Sequence, residues 1–138
     1  MEFIVSDRES VEQGTLVRSE FIVISIRDPE KPKARIPKQS SLRGVLYLAF
    51  DDAEPTPNRK LPEFIKPMTP AQAQKVIRFF EKYEAKVGAV VVHCEAGMSR
   101  SPAVAAGLCK RSGGDDSEFF KFYMPNRYVY RLVLRAGK

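Results

Sequence analysis

The sequence is poor in the residues that build metal sites and disulfide frameworks: its 138 residues include one histidine, two cysteines and no tryptophan. These counts exclude a structural zinc site made of four cysteines, or of two cysteines and two histidines. Two cysteines also cannot form the disulfide framework of a small secreted domain, so a reducing, cytoplasmic environment is expected. We therefore predict no metal and no cofactor.

The chain also lacks any long hydrophobic run. No apolar stretch approaches the roughly 20 residues that a membrane-spanning helix needs, and no signal peptide is recognisable at the start. Apolar residues make up 43% of the sequence, which is ordinary for a soluble globular protein. Without repeats or low-complexity tracts, residues 1–138 are expected to form one domain with no membrane span.

Acidic residues are outnumbered, 17 against 23 lysines and arginines, which gives a net charge of +6. Much of the excess lies between Arg27 and Arg43, where six basic residues face two acidic ones. One interpretation is a solvated loop that charge keeps soluble. The other is a loop that attracts an anionic substrate to its lysines and arginines, foremost Lys31, Lys33 and Arg35.

Hydrophobic periodicity predicts alternating strands and helices. Continuous apolar stretches predict buried strands at 20–26, 44–50 and 89–93, with an edge strand at 3–5. Helices are predicted from a Thr69 cap to Gly88, over 100–111 and 116–123, and after a cap at Asn126. The proline-rich segment 53–67 predicts a loop or irregular lid. The expected fold is α/β, with a central, mostly parallel sheet flanked by helices.

One segment of nine residues, HCEAGMSRS at 93–101, links the last predicted strand to the next helix. Loop amides and the helix N-terminus would converge on one point there, which makes an anion site. The helix dipole and Arg100 both favour the thiolate form of Cys94 at that point. A thiolate beneath a phosphate-shaped cradle is a nucleophile aimed at phosphorus. His93 adjoins Cys94 and would point to the opposite face of an extended strand, which is poor geometry for a papain-like protease.

This segment resembles the Cys-x5-Arg loop of the cysteine-dependent protein tyrosine phosphatases, in the form common in the compact dual-specificity branch. The resemblance is tight over about residues 88–108 and looser over 44–52 and 125–133. It implies a phosphatase loop between a central strand and a helix. It also implies hydrolysis of phosphomonoesters through a phosphocysteine intermediate.

The loop residues divide into chemical and binding roles. The planar fork of Arg100 suits two phosphoryl oxygens at once, and Gly97 allows a turn with positive φ. The resemblance implies that Ser101 donates a hydrogen bond to the sulfur of Cys94 and that His93 braces the loop from behind. The substrate phosphate is expected to lie against the loop formed by Glu95, Ala96, Gly97, Met98, Ser99 and Arg100.

A general acid must protonate the departing alcohol. The predicted strand 44–50 delivers Asp51 and Asp52 to the same sheet edge as Cys94, and Asp28 follows the strand before it. Asp52 is favoured over Asp51, with Asp28 a weaker candidate, because residues 50–52 resemble the Phe-x-Asp pattern of compact bacterial and phage members. Asp52 precedes Cys94 by 42 residues. This separation is longer than in many dual-specificity enzymes, and the proline-rich segment can absorb it.

The leading substrate is protein phosphotyrosine, with phosphoserine and phosphothreonine also open. Glu95, Ala96 and Met98 bring no positive charge, which argues against inositol phosphates. Ser99-Arg100-Ser101 stands where RNA 5′-phosphatases of the superfamily usually carry Asn-Arg-Thr. RNA 5′-phosphatase and phosphoinositide phosphatase activity remain alternatives, as does a catalytically weak phosphate-binding module. Nucleic acid is the less favoured partner, and the sequence leaves the oligomeric state open.

Overall fold

Residues 1–137 are described by a computed structural model and form four strands and five helices around one sheet. The strands are β1 (Glu2–Asp7), β2 (Phe21–Arg27), β3 (Leu42–Ala49) and β4 (Ala89–Cys94); the helices are α1 (Arg8–Gln13), α2 (Pro70–Tyr83), α3 (Arg100–Arg111), α4 (Ser117–Phe122) and α5 (Arg127–Arg135). The sheet order is β1-β4-β2-β3, and every neighbouring pair is parallel. The predicted α/β fold with a parallel sheet is confirmed.

Alternating side chains of the two central strands fill a core on each face of the sheet, as the period of a strand requires. On one face, Ile22, Ile24 and Val92 belong to a large core with residues of α2, α3 and α5. On the other face, Val23 and Val91 belong to a smaller core with Val11 of α1. Both central strands are buried on both sides, which explains their continuous apolar sequence.

Helix α2 begins where predicted and ends earlier than predicted. The Thr69 hydroxyl accepts from the amide of Gln72, and the Gln72 side chain accepts from the amide of Thr69, which forms a complete capping box. The helix ends at Tyr83, not at Gly88. The Gly88 amide instead donates to the carbonyl of Glu20, because the chain has by then entered the register of the sheet.

Two further details concern helices α1 and α3. Helix α1 was not predicted, although Asp7 caps it by accepting from the Ser10 amide. Gly107 allows α3 to approach α5 closely, because a Cβ there would lie 2.7 Å from Cγ1 of Val133. Within residues 1–137, no helix is long and apolar enough to cross a membrane.

All four strands run in one direction, so their carboxyl ends meet at a single edge. Asp7, Arg27, Ala49 and Cys94 are the last residues of β1, β2, β3 and β4. The segments that follow them bring together the residues considered next.

Candidate active site

Residues 94–100 form a loop whose peptide carbonyls are held from outside. The carbonyl of Glu95 accepts from the Arg8 amide, that of Met98 from the Met124 amide, and that of Ser99 from the Asn126 amide. The C=O and N–H of a trans peptide point in opposite directions. Each outward carbonyl therefore turns the next amide toward the centre of the loop, which is the arrangement that binds an anion.

Gly97 is required at its position for two reasons. Its φ is +71°, in the left-handed region. A Cβ on Gly97 would also lie 2.9 Å from the backbone oxygen of Ser6 in β1. The loop therefore packs directly on the end of the neighbouring strand, and any side chain here would push it away.

The sulfur of Cys94 lies within this loop and is almost completely buried, with 2% of the residue exposed. Ser101 places its hydroxyl oxygen 3.1 Å from the sulfur, and the Gly97 amide donates to the sulfur over 3.3 Å. Both groups stabilise negative charge on sulfur when they donate to it. The contact between Ser101 and Cys94 is the one that the sequence resemblance implied.

Arg100, the first residue of α3, is 6% exposed, and a single nitrogen of its guanidinium makes its side-chain contacts with the described residues. Its Nη1 donates to the carbonyl of Phe50 at 2.7 Å and lies 2.8 Å from Oδ1 of Asp28. These two acceptors fix the plane of the guanidinium through a single nitrogen. Nε and Nη2 have no hydrogen-bond partner within residues 1–137, and a guanidinium edge of this kind can bind two oxygens of one phosphate.

His93 lies behind the loop, on the face of the sheet opposite to Cys94, and is fully buried. Burial lowers the pKa of its imidazole, so the ring is neutral in the folded chain. Its Nδ1 lies 3.2 Å from the Cys94 carbonyl and its Nε2 lies 2.5 Å from the Ser25 hydroxyl. A carbonyl only accepts, so Nδ1 carries the proton and Nε2 accepts from Ser25. The ring thus connects β2 to the residue that carries the candidate nucleophile.

Asp52 and Asp51 have different partners. One oxygen of Asp52, Oδ1, accepts from the Ser99 hydroxyl and from the Asn126 side-chain amide, both at 2.8 Å. Asp51 instead accepts from the Lys66 amide at 2.7 Å and donates its own amide to the Lys66 carbonyl at 2.6 Å. The structure thus joins Asp52 to the loop of Cys94 and joins Asp51 to the base of the 53–67 segment.

A chain of ion pairs connects the ends of the loop through the segment after β2. Lys31 lies 3.4 Å from Asp28 and 3.5 Å from Glu95, and Arg8 lies 3.1 Å from Glu95. Together with the pair of Arg100 and Asp28, these contacts join the second residue of the loop to its last. The negative charge of Glu95 is the largest cause that raises the pKa of Lys31.

Solved structures with this arrangement of strands and helices exist. A mouse protein assigned to the dual specificity phosphatases, in complex with zinc tungstate, matches with a TM-score of 0.57 at 16% identity, over 97% of this chain and 80% of its own. Human DUSP28 matches with a TM-score of 0.53 at 15% identity, over 97% and 90%. PTPMT1 in complex with PI(5)P matches with a TM-score of 0.51 at 17% identity, over 96% and 88%.

The chain has the fold of the dual-specificity protein tyrosine phosphatases. The loop at 94–100 lies between the central strand β4 and helix α3 of this fold, as the resemblance implied. No protein-family model and no curated protein matches the sequence.

Sequence reasoning missed several partners in this phosphatase fold. It considered Asp28 as an acid, whereas the structure pairs Asp28 with Arg100. It proposed Asn126 as a helix cap, which is confirmed by its contact with the Val129 amide, but it missed the second contact of Asn126 with Asp52. The ion pair of Arg8 with Glu95 was also missed, because Arg8 belongs to helix α1, which was not predicted.

The remaining cysteine lies apart from the loop. Cys109 is buried on α3, and burial raises the pKa of its thiol. Within residues 1–137, Cys94 and Cys109 are both free thiols. No group of three histidine, cysteine, aspartate or glutamate side chains in that part of the chain is arranged to hold a metal ion.

Proposed function

We propose that this chain is a metal-independent phosphomonoester hydrolase that works through a phosphocysteine intermediate. The observation that carries the proposal is the sulfur of Cys94, held 3.1 Å from Ser101 and 3.3 Å from the Gly97 amide inside a loop built for an anion. Arg100 is the last residue of the same loop and has Nε and Nη2 without a partner within residues 1–137, and Asp52 contacts the loop through Ser99.

In the first step, the thiolate of Cys94 attacks phosphorus and the bond from phosphorus to the ester oxygen breaks. Asp52, entering as the protonated acid, gives its proton to the departing oxygen, which leaves as the alcohol or phenol. Arg100 and the loop amides stabilise the charge on the three equatorial phosphoryl oxygens. The product of this step is a phosphocysteine and a carboxylate at Asp52.

In the second step, Asp52 takes a proton from water, and the resulting hydroxide attacks phosphorus. The phosphorus–sulfur bond breaks and the electron pair returns to Cys94 as a thiolate. The hydroxyl of Ser101 donates to that sulfur and makes it a better leaving group. Inorganic phosphate leaves, Cys94 is again a thiolate, and Asp52 again holds a proton, as it did before the first step.

The substrate that we favour is a phosphotyrosyl protein, with phosphoserine and phosphothreonine as secondary substrates in a cytoplasmic, reducing setting. Glu95 brings a carboxylate into the loop, which disfavours a substrate with several phosphates. Arg8 and Lys31 already pair with that carboxylate, so their charges are partly neutralised. A phosphoinositide is the second candidate, because PTPMT1, which shares the fold, binds PI(5)P.

The proposal is tested by hydrolysis of para-nitrophenyl phosphate with and without EDTA and orthovanadate. The wild-type protein should hydrolyse this ester, should be inhibited by vanadate, and should remain active in EDTA. Cys94→Ser should abolish turnover and still bind tungstate, because most of the cradle is backbone. Cys109→Ser is the matched control and should retain activity. Turnover by Cys94→Ser would contradict the covalent mechanism. The rate of phosphate release from a phosphotyrosyl peptide, compared with that from PI(5)P, distinguishes the two substrate classes.

A further inference from the structure

The segment between the candidate acid and α2 encloses a cavity of about 490 Å³. Its lining is mixed: Leu61, Pro62, Phe64 and Ile65 supply apolar surface, and the charged residues Asp52, Glu54 and Arg59 also line it. A volume of this size is typical of sites for small molecules or single side chains. Neither the nucleophile nor the arginine of the loop uses this space.

The segment is fixed at both of its ends. Asp51 and Lys66 exchange two hydrogen bonds at its base, at 2.6 and 2.7 Å. On the opposite side, the carbonyl of Ala53 accepts from Asn126 at 3.0 Å, and the side chain of Glu54 accepts from the Arg127 amide at 2.9 Å. The cavity therefore has a stable position relative to α5 and to the loop of Cys94.

Asp52 connects this cavity to the reaction. Its Oδ1 is occupied by Ser99 and Asn126, and its Oδ2 has no hydrogen-bond partner within residues 1–137. An acid that protonates a leaving group must lie within hydrogen-bond distance of the ester oxygen. Asp52 also lines the cavity, so a leaving group that its carboxyl group protonates has its oxygen close to the cavity.

We propose that this cavity is a subsite for an extended aromatic leaving group, and that residues of the 53–67 segment make the enzyme selective for such a group. The proposal rests on the proposed function, because it takes Asp52 as the acid. A flat apolar group suits the wall of Leu61, Pro62 and Phe64, and the Phe64 ring, 76% exposed, gains contact area when the group is bound. Arg59 makes no ion pair within the described residues, and its guanidinium suits the face of an aromatic ring.

The test compares two aryl esters, phenyl phosphate and 2-naphthyl phosphate, whose parent alcohols have similar acidity. Protonation by Asp52 should then accelerate the hydrolysis of both esters equally. The ratio of their kcat/KM values therefore measures how much contact with the cavity favours the larger ester. The wild type should prefer the naphthyl ester, and Phe64→Ala should reduce that preference about two- to tenfold. Phe122→Ala is the matched control, since Phe122 is 63% exposed and lines a different cavity beside α4. The Phe122→Ala variant should prefer the naphthyl ester as strongly as the wild type does.

A binding measurement separates failure of this proposal from failure of the proposed function. In Cys94→Ser, calorimetry should show tighter binding of 2-naphthyl phosphate than of inorganic phosphate, and Phe64→Ala should reduce the difference. If the wild type hydrolyses neither ester, the proposed function is wrong, and this arm still tests the cavity. Equal affinity for naphthyl phosphate and phosphate, or an unchanged preference in Phe64→Ala, overturns the subsite.

Discussion

Arg100 and Asp28 form an ion pair of 2.8 Å between the start of α3 and the residue that follows β2. Nη1 of Arg100 takes part in this pair and also donates to the carbonyl of Phe50, the residue that follows β3. The guanidinium is therefore positioned by the residues that follow two strands, and both contacts use Nη1, not Nε or Nη2. In the proposed mechanism, Asp28 acts on the substrate through Arg100, which makes it a positioning residue.

Asp28→Asn should lower kcat/KM for para-nitrophenyl phosphate about 10- to 100-fold, the range for a lost hydrogen bond to a charged group. The inhibition constant of vanadate should rise in parallel, because Arg100 binds the oxyanion in both complexes. Asp28→Glu restores the charge and should recover part of the loss. Glu30→Gln is the control: Glu30 is exposed and has no ion pair within residues 1–137. A Glu30 variant as impaired as the Asp28 variant would refute this role.

Asp52→Asn should reduce turnover of alkyl and phenyl phosphates about 10²- to 10⁴-fold, the usual contribution of a general acid. The loss should shrink for esters with very good leaving groups, which need little protonation. Asp51→Asn should chiefly lower the melting temperature, because Asp51 holds the base of the 53–67 segment through Lys66. If Asp51→Asn gives the leaving-group pattern and Asp52→Asn does not, the acid has been assigned wrongly.

Ser99→Ala removes one of the two donors to Oδ1 of Asp52. Such a hydrogen bond contributes about 1 kcal/mol when the carboxyl group is neutral and up to about 3 kcal/mol when it is charged. The carboxyl group should then be less well oriented. We expect turnover of phenyl phosphate to fall about 5- to 100-fold, with para-nitrophenyl phosphate less affected. Ser99→Thr keeps the hydroxyl and should retain most of the turnover of phenyl phosphate. A uniform loss with all esters would mean that Ser99 only shapes the loop.

The sequence predicted the parts of this site that are contiguous in the chain. Residues 93–101 place strand, turn and helix within nine positions, so the contacts of Cys94 with Ser101 and Gly97 are local consequences of that pattern. Strand ends were also predictable, because apolar runs stop at Asp28 and Asp51. The all-parallel sheet then brings those ends to the edge that holds Cys94.

The contacts between distant segments could not be predicted. Asp28 pairs with Arg100 across 72 positions of the chain, and Asp52 meets Asn126 across 74. Such pairings depend on strand order and on the packing of α5 against α3, and no local periodicity encodes either. Helix α1 was missed for a different reason: it has six residues and buries only Val11, too few for a helical pattern.

Stability should depend on pH through His93, the only histidine of the chain. Burial lowers its pKa in the folded state, whereas the unfolded imidazole titrates near its usual value of about 6.5. Below that pH the unfolded chain binds one more proton, so the free energy of unfolding should fall as the pH drops from about 7.5 to about 5. The lowered pKa of Asp7, caused by the Ser10 amide, matters only in more acidic solution.

Urea unfolding at pH 7.5 and 5.5 measures this effect, with His93→Asn as the comparison. The variant should be less stable than the wild type at pH 7.5. Its free energy of unfolding should differ much less between pH 7.5 and pH 5.5 than that of the wild type. A wild-type protein that is equally stable at both, or more stable at pH 5.5, would contradict a neutral buried imidazole. It would also remove the assignment of Nε2 as the acceptor for Ser25.

The basic segment between β2 and β3 should select acidic surroundings of the phosphate. Lys31 is already paired with Asp28 and Glu95, so it belongs to the loop network and is left unchanged here. Lys33, Arg35 and Lys38 are exposed and have no ion pair within residues 1–137, and Lys33 lies 4.8 Å from the centre of the Tyr47 ring. Replacing these three by glutamine should raise KM for an acidic phosphotyrosyl peptide at low salt. The effect should fade at high salt, where the screening length shortens.

Two controls give this prediction its meaning. Para-nitrophenyl phosphate is too small to reach the three side chains, so its turnover should not change. Glutamine at Lys75, Arg78 and Lys82 makes the same change of net charge on the exposed side of α2 and should leave KM for the peptide as it was. If the α2 variant raises KM as much as the loop variant, the overall charge of the protein attracts the peptide. If neither does, the segment is a solvated connection between two strands.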